Sequence, residues 1–236
     1  MRRLAARLTL AIIVPLMGSA RNGLAQAAAR PLSPEQRQTV GSGGQVLVTQ
    51  DVEGSSWPSA CTYQRVDAAP EEVAAVFADY SRHKIFIPGL KKSTISRVVD
   101  RATTEVDYVL DVPIVADEAY TVRDSVSASS NGEEYRVDWS LVRATSTRAT
   151  IGSVRFERYS AALGTPDGAH GGTLMTYCNL VTPGSRLAKL GFIKSRAMDQ
   201  LRATATSVAR EAERERTNAP ALLAAQLRTL RAAIAP

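Results

Sequence analysis

Val66-Asp-Ala-Ala-Pro-Glu-Glu-Val-Ala-Ala-Val-Phe-Ala-Asp-Tyr80, running on to Phe86-Ile-Pro-Gly-Leu90, decides the fold of this chain. An extended apolar end meets Pro70 and two glutamates, then an apolar stripe at helical spacing. Pro70 suits the first helical position, where a missing N–H costs nothing. Glu71 and Glu72 suit the positive end of the helix dipole. Val73, Val76, Phe77 and Tyr80 recur three or four apart, so this helix has one buried face. A short helical or turn segment follows over Arg82 to Phe86.

Upstream, Gln45–Val52 and Cys61–Val66 are strand-like. Downstream, Lys92–Val99, Thr104–Val112, Tyr120–Val126, Tyr135–Leu141, Ile151–Tyr159 and Thr173–Val181 are separated by turn signals such as Ser129-Ser-Asn-Gly132, which predicts an antiparallel meander. Val106, Tyr108 and Leu110 alternate with Glu105, Asp107 and Asp111, and Val109 breaks the pattern. Tyr135, Val137, Trp139 and Leu141 alternate with Arg136, Asp138 and Ser140, the mark of a half-buried strand. From Arg186 the period changes. Leu190, Ile193, Ala197, Leu201, Ala205, Val208 and Ala212 predict a long amphipathic helix to about Arg216. Thr217-Asn-Ala-Pro220 ends it, and Leu223, Leu227, Leu230 and Ile234 mark a shorter second helix.

The N-terminus has the grammar of a secretory signal. Arg2, Arg3 and Arg7 precede an apolar run from Leu8 to Met17, and small residues at Ala25 and Ala27 offer cleavage points. The run is too short for a membrane anchor, which needs roughly 17–25 apolar residues. The expected organisation is a signal peptide at 1–27, a flexible lead-in at 28–44, a main domain at 45–216 and an amphipathic helical tail at 217–236. Removal of Arg2, Arg3, Arg7 and Arg21 lowers the net charge from +6 by four, so basicity no longer argues for a nucleic-acid partner. The expected location is the periplasm or the exterior. Cys61 and Cys178 are the only cysteines; in an oxidising compartment they are either a bridge or two separate buried thiols.

This order of elements resembles the START/polyketide-cyclase superfamily (SRPBCC), including its coenzyme Q-binding branch. The matching stretches are Asp79-Tyr80 with Phe86-Ile-Pro88, Gly152-Ser-Val-Arg-Phe156, and Gly172-Thr-Leu-Met-Thr-Tyr177 with Pro183-Gly184, within roughly residues 45–216. The resemblance implies an α+β helix-grip fold: a curved antiparallel sheet of about seven strands wrapped around a long C-terminal helix. It implies that first and last strands are neighbours, which puts Cys61 and Cys178 on the same outer face as a candidate disulfide. One departure is Val112-Pro-Ile-Val-Ala-Asp-Glu118, where many periplasmic relatives carry an arginine after the proline and aspartate.

The function implied is binding or transport of a hydrophobic small molecule (lipid, sterol, quinone or polyketide-like) in an internal cavity. Phe77, Tyr80, Tyr108, Leu110, Tyr120 and Trp139 would line it, with Phe156, Met175, Tyr177, Asn179, Phe192 and Leu201. An ordinary core would use the same residue types; shape rather than type favours a cavity. Tyr108, Tyr120, Tyr177 and Asn179 could anchor a polar group, as could Glu118 and Arg143, the latter by sharing the parity of Trp139 and Leu141. The long helix would be a lid, with entrances at Arg82–Leu90 and Thr182–Arg186.

Two rivals stand beside this reading. One is a cyclase or dehydratase using Asp117, Glu118, Arg143 and the tyrosines. The other is an interaction module whose Leu222–Ile234 stripe docks on a partner, a membrane or the domain itself. No catalytic residue is assigned. His83 and His170 lack neighbours at metal-ligand spacing, and Gly41-Ser-Gly-Gly44 precedes a strand instead of opening a helix, so neither metal nor cofactor is expected. The expected partners are the small molecule and, transiently, a membrane.

Overall fold

The computed structural model describes residues 29–111, 117–159, 172–184 and 191–235. The signal segment, His170 and part of the Val112–Glu118 departure therefore lie outside the described residues. So does most of the turn after Pro183.

Eight strands form one antiparallel sheet. They are β1 (Gln45–Gln50), β2 (Ser59–Val66), β3 (Leu90–Val98), β4 (Thr103–Leu110), β5 (Glu118–Ala128), β6 (Glu134–Ala144), β7 (Thr147–Arg158) and β8 (Thr173–Pro183). Their spatial order is β1-β2-β8-β7-β6-β5-β4-β3, a meander whose last strand returns beside β2. This is the helix-grip fold. The sheet has one strand more than about seven, because β1 pairs along β2 from Gln45↔Gln64 to Gln50↔Ser59.

Helix α2 (Pro70–Ala78) starts with Pro70 in its first turn, and the Glu72 carboxylate accepts the Ala69 N–H at 2.8 Å. Its apolar stripe is buried, with Val73, Val76 and Phe77 all 4% exposed or less. A 3-10 turn (Tyr80–Arg82) and α3 (His83–Phe86) lead into β3. Helix α4 (Gly191–Asn218) crosses the inner face of the sheet, and α5 (Pro220–Ile234) folds back onto α2. No helix of the described residues is long and apolar enough to cross a membrane.

Cys61 and Cys178 face each other across β2 and β8 and form a disulfide. Around it on the outer face lie Tyr63, Leu174, Leu180 and Val40. Val40 belongs to α1 (Pro34–Gly41), which corrects the expectation of a flexible lead-in over 28–44. Ser33 Oγ accepts the Gln36 N–H and Gln36 Oε1 accepts the Ser33 N–H, at 3.2 and 2.9 Å. That reciprocal cap, with Pro34 in the first turn, is a local helix signal that low hydrophobicity hides. The helix turns Val40 onto the disulfide, so the outer face here has its own small core.

At the α2–α5 end, Leu223 and Leu230 are buried and the Arg231 guanidinium grips Glu71 with two bonds of 2.7 Å. Gln226 Nε2 donates to Asp79 at 3.0 Å. Below them Arg82 pairs with Glu215 at 2.9 Å and Glu211 at 3.2 Å, tying the 3-10 turn to α4. Burial, then the neighbouring Glu211, pushes the Glu215 carboxyl up, while Arg214 holds Glu211 down.

Candidate functional site

Rows of cross-strand partners set the inner face. One row reads Ala60–Asn179–Gly152–Trp139–Asp124, ending at Thr104 on β4. Alternation along each strand points all six toward α2 and α4. Gly152 is needed because a Cβ there would lie 2.4 Å from the Trp139 ring and 2.5 Å from the Cys178 carbonyl oxygen. Its absence lets the indole lie flat on β7.

Trp139 packs on Tyr177 with centroids 5.1 Å apart, and Phe77 of α2 meets both rings at 6.3 Å. Tyr108 and Tyr120, opposite each other on β4 and β5, are 5.4 Å apart. His83 stacks on Tyr108 and is buried. Its Nε2 lies 2.7 Å from the Phe77 carbonyl, so that nitrogen carries the proton, and its Nδ1 accepts the Tyr108 hydroxyl at 2.9 Å. Burial pushes the imidazole down to about 4, against a partly offsetting bond to Phe77. His83 therefore fixes Tyr108 and the start of α3 as a neutral ring.

The aromatic positions separate into two sets. Phe156 and Met175 are 0% exposed and fill the core beneath α2. Tyr120 and Tyr177 are enclosed deeply enough that burial pushes their phenols well up, yet both keep accessible surface. Such rings border a space instead of filling one. Phe77, Tyr80, Tyr108 and Trp139 lie between these cases, at 4–8% exposed, and Leu110 is half-buried. Asn179 and Leu201 meet Trp57, Ala197 and Met198 around an inner pocket of about 30 Å³. That is one water's share of volume.

Three expected positions differ. Phe192 is 53% exposed, and none of the first ten residues of α4 is fully buried; full burial begins at Leu201. Arg143 lies on the outer face. The β5–β6 register slips between Thr121 and Val122, which face Arg143 and Leu141, so Val142 is left over and parity inverts. Arg143 Nε donates to Thr121 Oγ1 at 2.9 Å and its guanidinium meets Asp107 at 3.3 Å. Glu118 accepts the Ser146 hydroxyl and the backbone N–H groups of Ser146 and Thr147, pinning the β6–β7 turn. Burial opposes its charge, but these bonds prevail and hold it below the usual carboxylate range. The groove beside Arg143, about 310 Å³, is bordered by Lys92, Asp107 and Thr121 and also by Tyr108 and Tyr120 of the aromatic layer.

Asp124 is the inner-face residue that a search for aromatic and aliphatic positions passes over. Tyr120, Val122 and Val126 alternate, and the same period carries Asp124 inward, where it is 3% exposed. Its Oδ2 has no hydrogen-bond partner, and neither has the buried Oγ1 of Thr104 directly across the strand pair. Burial alone pushes the Asp124 carboxyl up to about 8.

The fold recurs in solved structures. The chain resembles a STAR-related lipid transfer protein from Xanthomonas axonopodis at 16% identity and a TM-score of 0.59, over 72% of this chain and 94% of that one. Human STARD10 matches at 13% identity and a TM-score of 0.55, over 84% and 88%. The chain shares their fold. A protein of Thermus thermophilus matches at 12% identity and a TM-score of 0.52, over 66% and 97%. No family model matches the sequence, and no curated protein does either.

Proposed function

We propose that this chain binds or carries a hydrophobic small molecule between the sheet and the first turns of α4, as an exported protein. The observation that carries this reading is the pair Tyr120 and Tyr177, enclosed yet accessible, on the sheet face that α4 crosses, with none of the first ten residues of α4 fully buried. The lipid-transfer neighbours in the same fold support the ligand class, and the disulfide supports an oxidising compartment. An inner pocket of about 30 Å³ is far smaller than the roughly 300–1,000 Å³ of a ligand site. Entry by lifting of residues 191–200 fits their burial, since none of them is fully buried. Apolar guest surface then leaves water at about 25 cal/mol per Å².

The test is uptake of a fluorescent lipid by three variants. Trp139→Ala and Leu201→Arg are expected to lose affinity, and Glu133→Ala, in an exposed turn, to keep it. Equal affinities for all three would remove the assignment. A cyclase built on Glu118 and Arg143 is not supported, since one pins a turn and the other faces outward. The leucine stripe of α5 is spent on α2, which leaves little apolar surface there for a partner.

A further inference from the structure

Buried polar atoms in folded proteins almost always have partners, and each exception asks for a cause. The inner face carries two exceptions side by side. Asp124 Oδ2 and Thr104 Oγ1 are both buried and unpartnered, on residues directly opposite each other in the β4–β5 ladder. Opposed side chains in such a pair have Cβ atoms about 4.5–5.5 Å apart, so a single small polar group can reach both. Trp139 is the other cross-strand neighbour of Asp124, and Tyr177 packs on Trp139. The apolar wall and the two orphan oxygens thus belong to one continuous surface.

The charge of the missing partner is also constrained. Only desolvation shifts Asp124; no cation offsets it. Arg82 is committed to Glu211 and Glu215 on α4. An un-ionised carboxyl offers one O–H donor and a carbonyl acceptor, and a threonine hydroxyl offers both roles. A carboxylate or phosphate entering here would meet no positive group that offsets Asp124 among the described residues, in a site that resists charge.

Resting on the hydrophobic-guest reading above, we infer that Asp124 and Thr104 form the polar end of the binding site and take a neutral carbonyl or hydroxyl oxygen of the guest. The guest is then an apolar molecule with a keto or hydroxyl group, not a fatty-acid anion. Asp124 donates to that oxygen, and Trp139 and Tyr177 cover the adjoining carbon skeleton.

The experiment uses the neutral dye N-phenyl-1-naphthylamine as bound reporter, displaced by 2-tridecanone or by dodecanoate at neutral pH. The wild-type chain should release the dye at a ketone concentration at least about tenfold below that of dodecanoate, the order expected for a hydrogen bond in a desolvated site. Asp124→Leu should lose about tenfold in ketone affinity relative to its own affinity for the dye, and Asp124→Asn, which keeps a donor, should retain most of it. Equal displacement by ketone and carboxylate, or unchanged ketone affinity in Asp124→Leu, overturns the assignment. Failure of the dye itself to bind the wild-type chain sinks the hydrophobic-guest reading and this inference with it. Should Asp124→Leu fail to fold, the wild-type 13Cγ resonance of Asp124, identified by its loss in Asp124→Asn, decides. A shift on adding 2-tridecanone supports the site; an unmoved resonance means that water alone serves the carboxyl and overturns it.

Discussion

The two ends of the space between sheet and helices are built differently. At the α5 end, Phe156, Met175, Val208 and Leu230 are sealed from water, Arg231–Glu71 ties α5 to α2, and Arg82–Glu215 ties the 3-10 turn to α4. At the other end the sheet is stapled by Cys61–Cys178, but no residue of α4 before Leu201 is fully buried. One end has a fixed roof and the other a fixed floor under a loose roof. The difference assigns stability to the first and guest entry to the second, because segments with few buried contacts open at low cost.

The largest expected effect is on the floor. The disulfide spans 117 residues of sequence, so reducing it should cost about 5 kcal/mol in a urea melt, by the loop-entropy relation. A negligible change would mean that the β2–β8 ladder needs no staple. Next, Leu230→Ala at the sealed end should cost about 3 kcal/mol, as for other fully buried leucines. Gly152→Ala, which drives a methyl into the Trp139 ring, should cost about 2 kcal/mol and alter the near-UV circular dichroism of that indole. An unchanged spectrum would show that the ring is not held flat.

Two buried titratable groups give opposite pH slopes. Asp124 keeps its proton in the fold up to about 8, while in the unfolded chain it ionises near 3.8. Folding takes up a proton between those values, so this group's contribution to stability falls as pH rises through that window. His83 stays neutral in the fold down to about 4 and protonates below about 6.5 when unfolded, so its contribution falls as pH drops from 6.5 to about 4. Asp124→Asn should remove a fall in stability of about 2 kcal/mol between pH 6.5 and 8, the window in which His83 is neutral in both states, measured by urea melts. An unchanged slope there would refute the Asp124 assignment. The smallest effect is expected at the loose roof: Phe192→Ser should change stability by less than about 0.5 kcal/mol. A change comparable to Leu230→Ala would erase the contrast between the ends.

Much of the architecture is legible locally. Pro70-Glu-Glu with its apolar stripe does form α2, and the alternation through Tyr135 and Trp139 does form β6. Where local reading fails, the cause is a contact distant in sequence. Arg143 changes face because a bulge against β5 shifts its register, and no period within β6 announces that. Phe192 lies off the stripe of Leu190, Ile193, Ala197 and Leu201, and it is exposed. Signals for α1 and Asp124 are present, in a capping box and a strand period, yet weak composition conceals the first and an unexpected residue type the second.

Periodicity, turn residues and helix caps, which act within a few residues of each other, were enough to set strand and helix identity and the antiparallel order. Tertiary structure alone decided that Cys61 meets Cys178, that α5 closes one end, and that Asp124 and Thr104 are left facing each other without partners. Those outcomes depend on which surfaces are brought together across more than a hundred residues of chain, and local preferences carry no information about that.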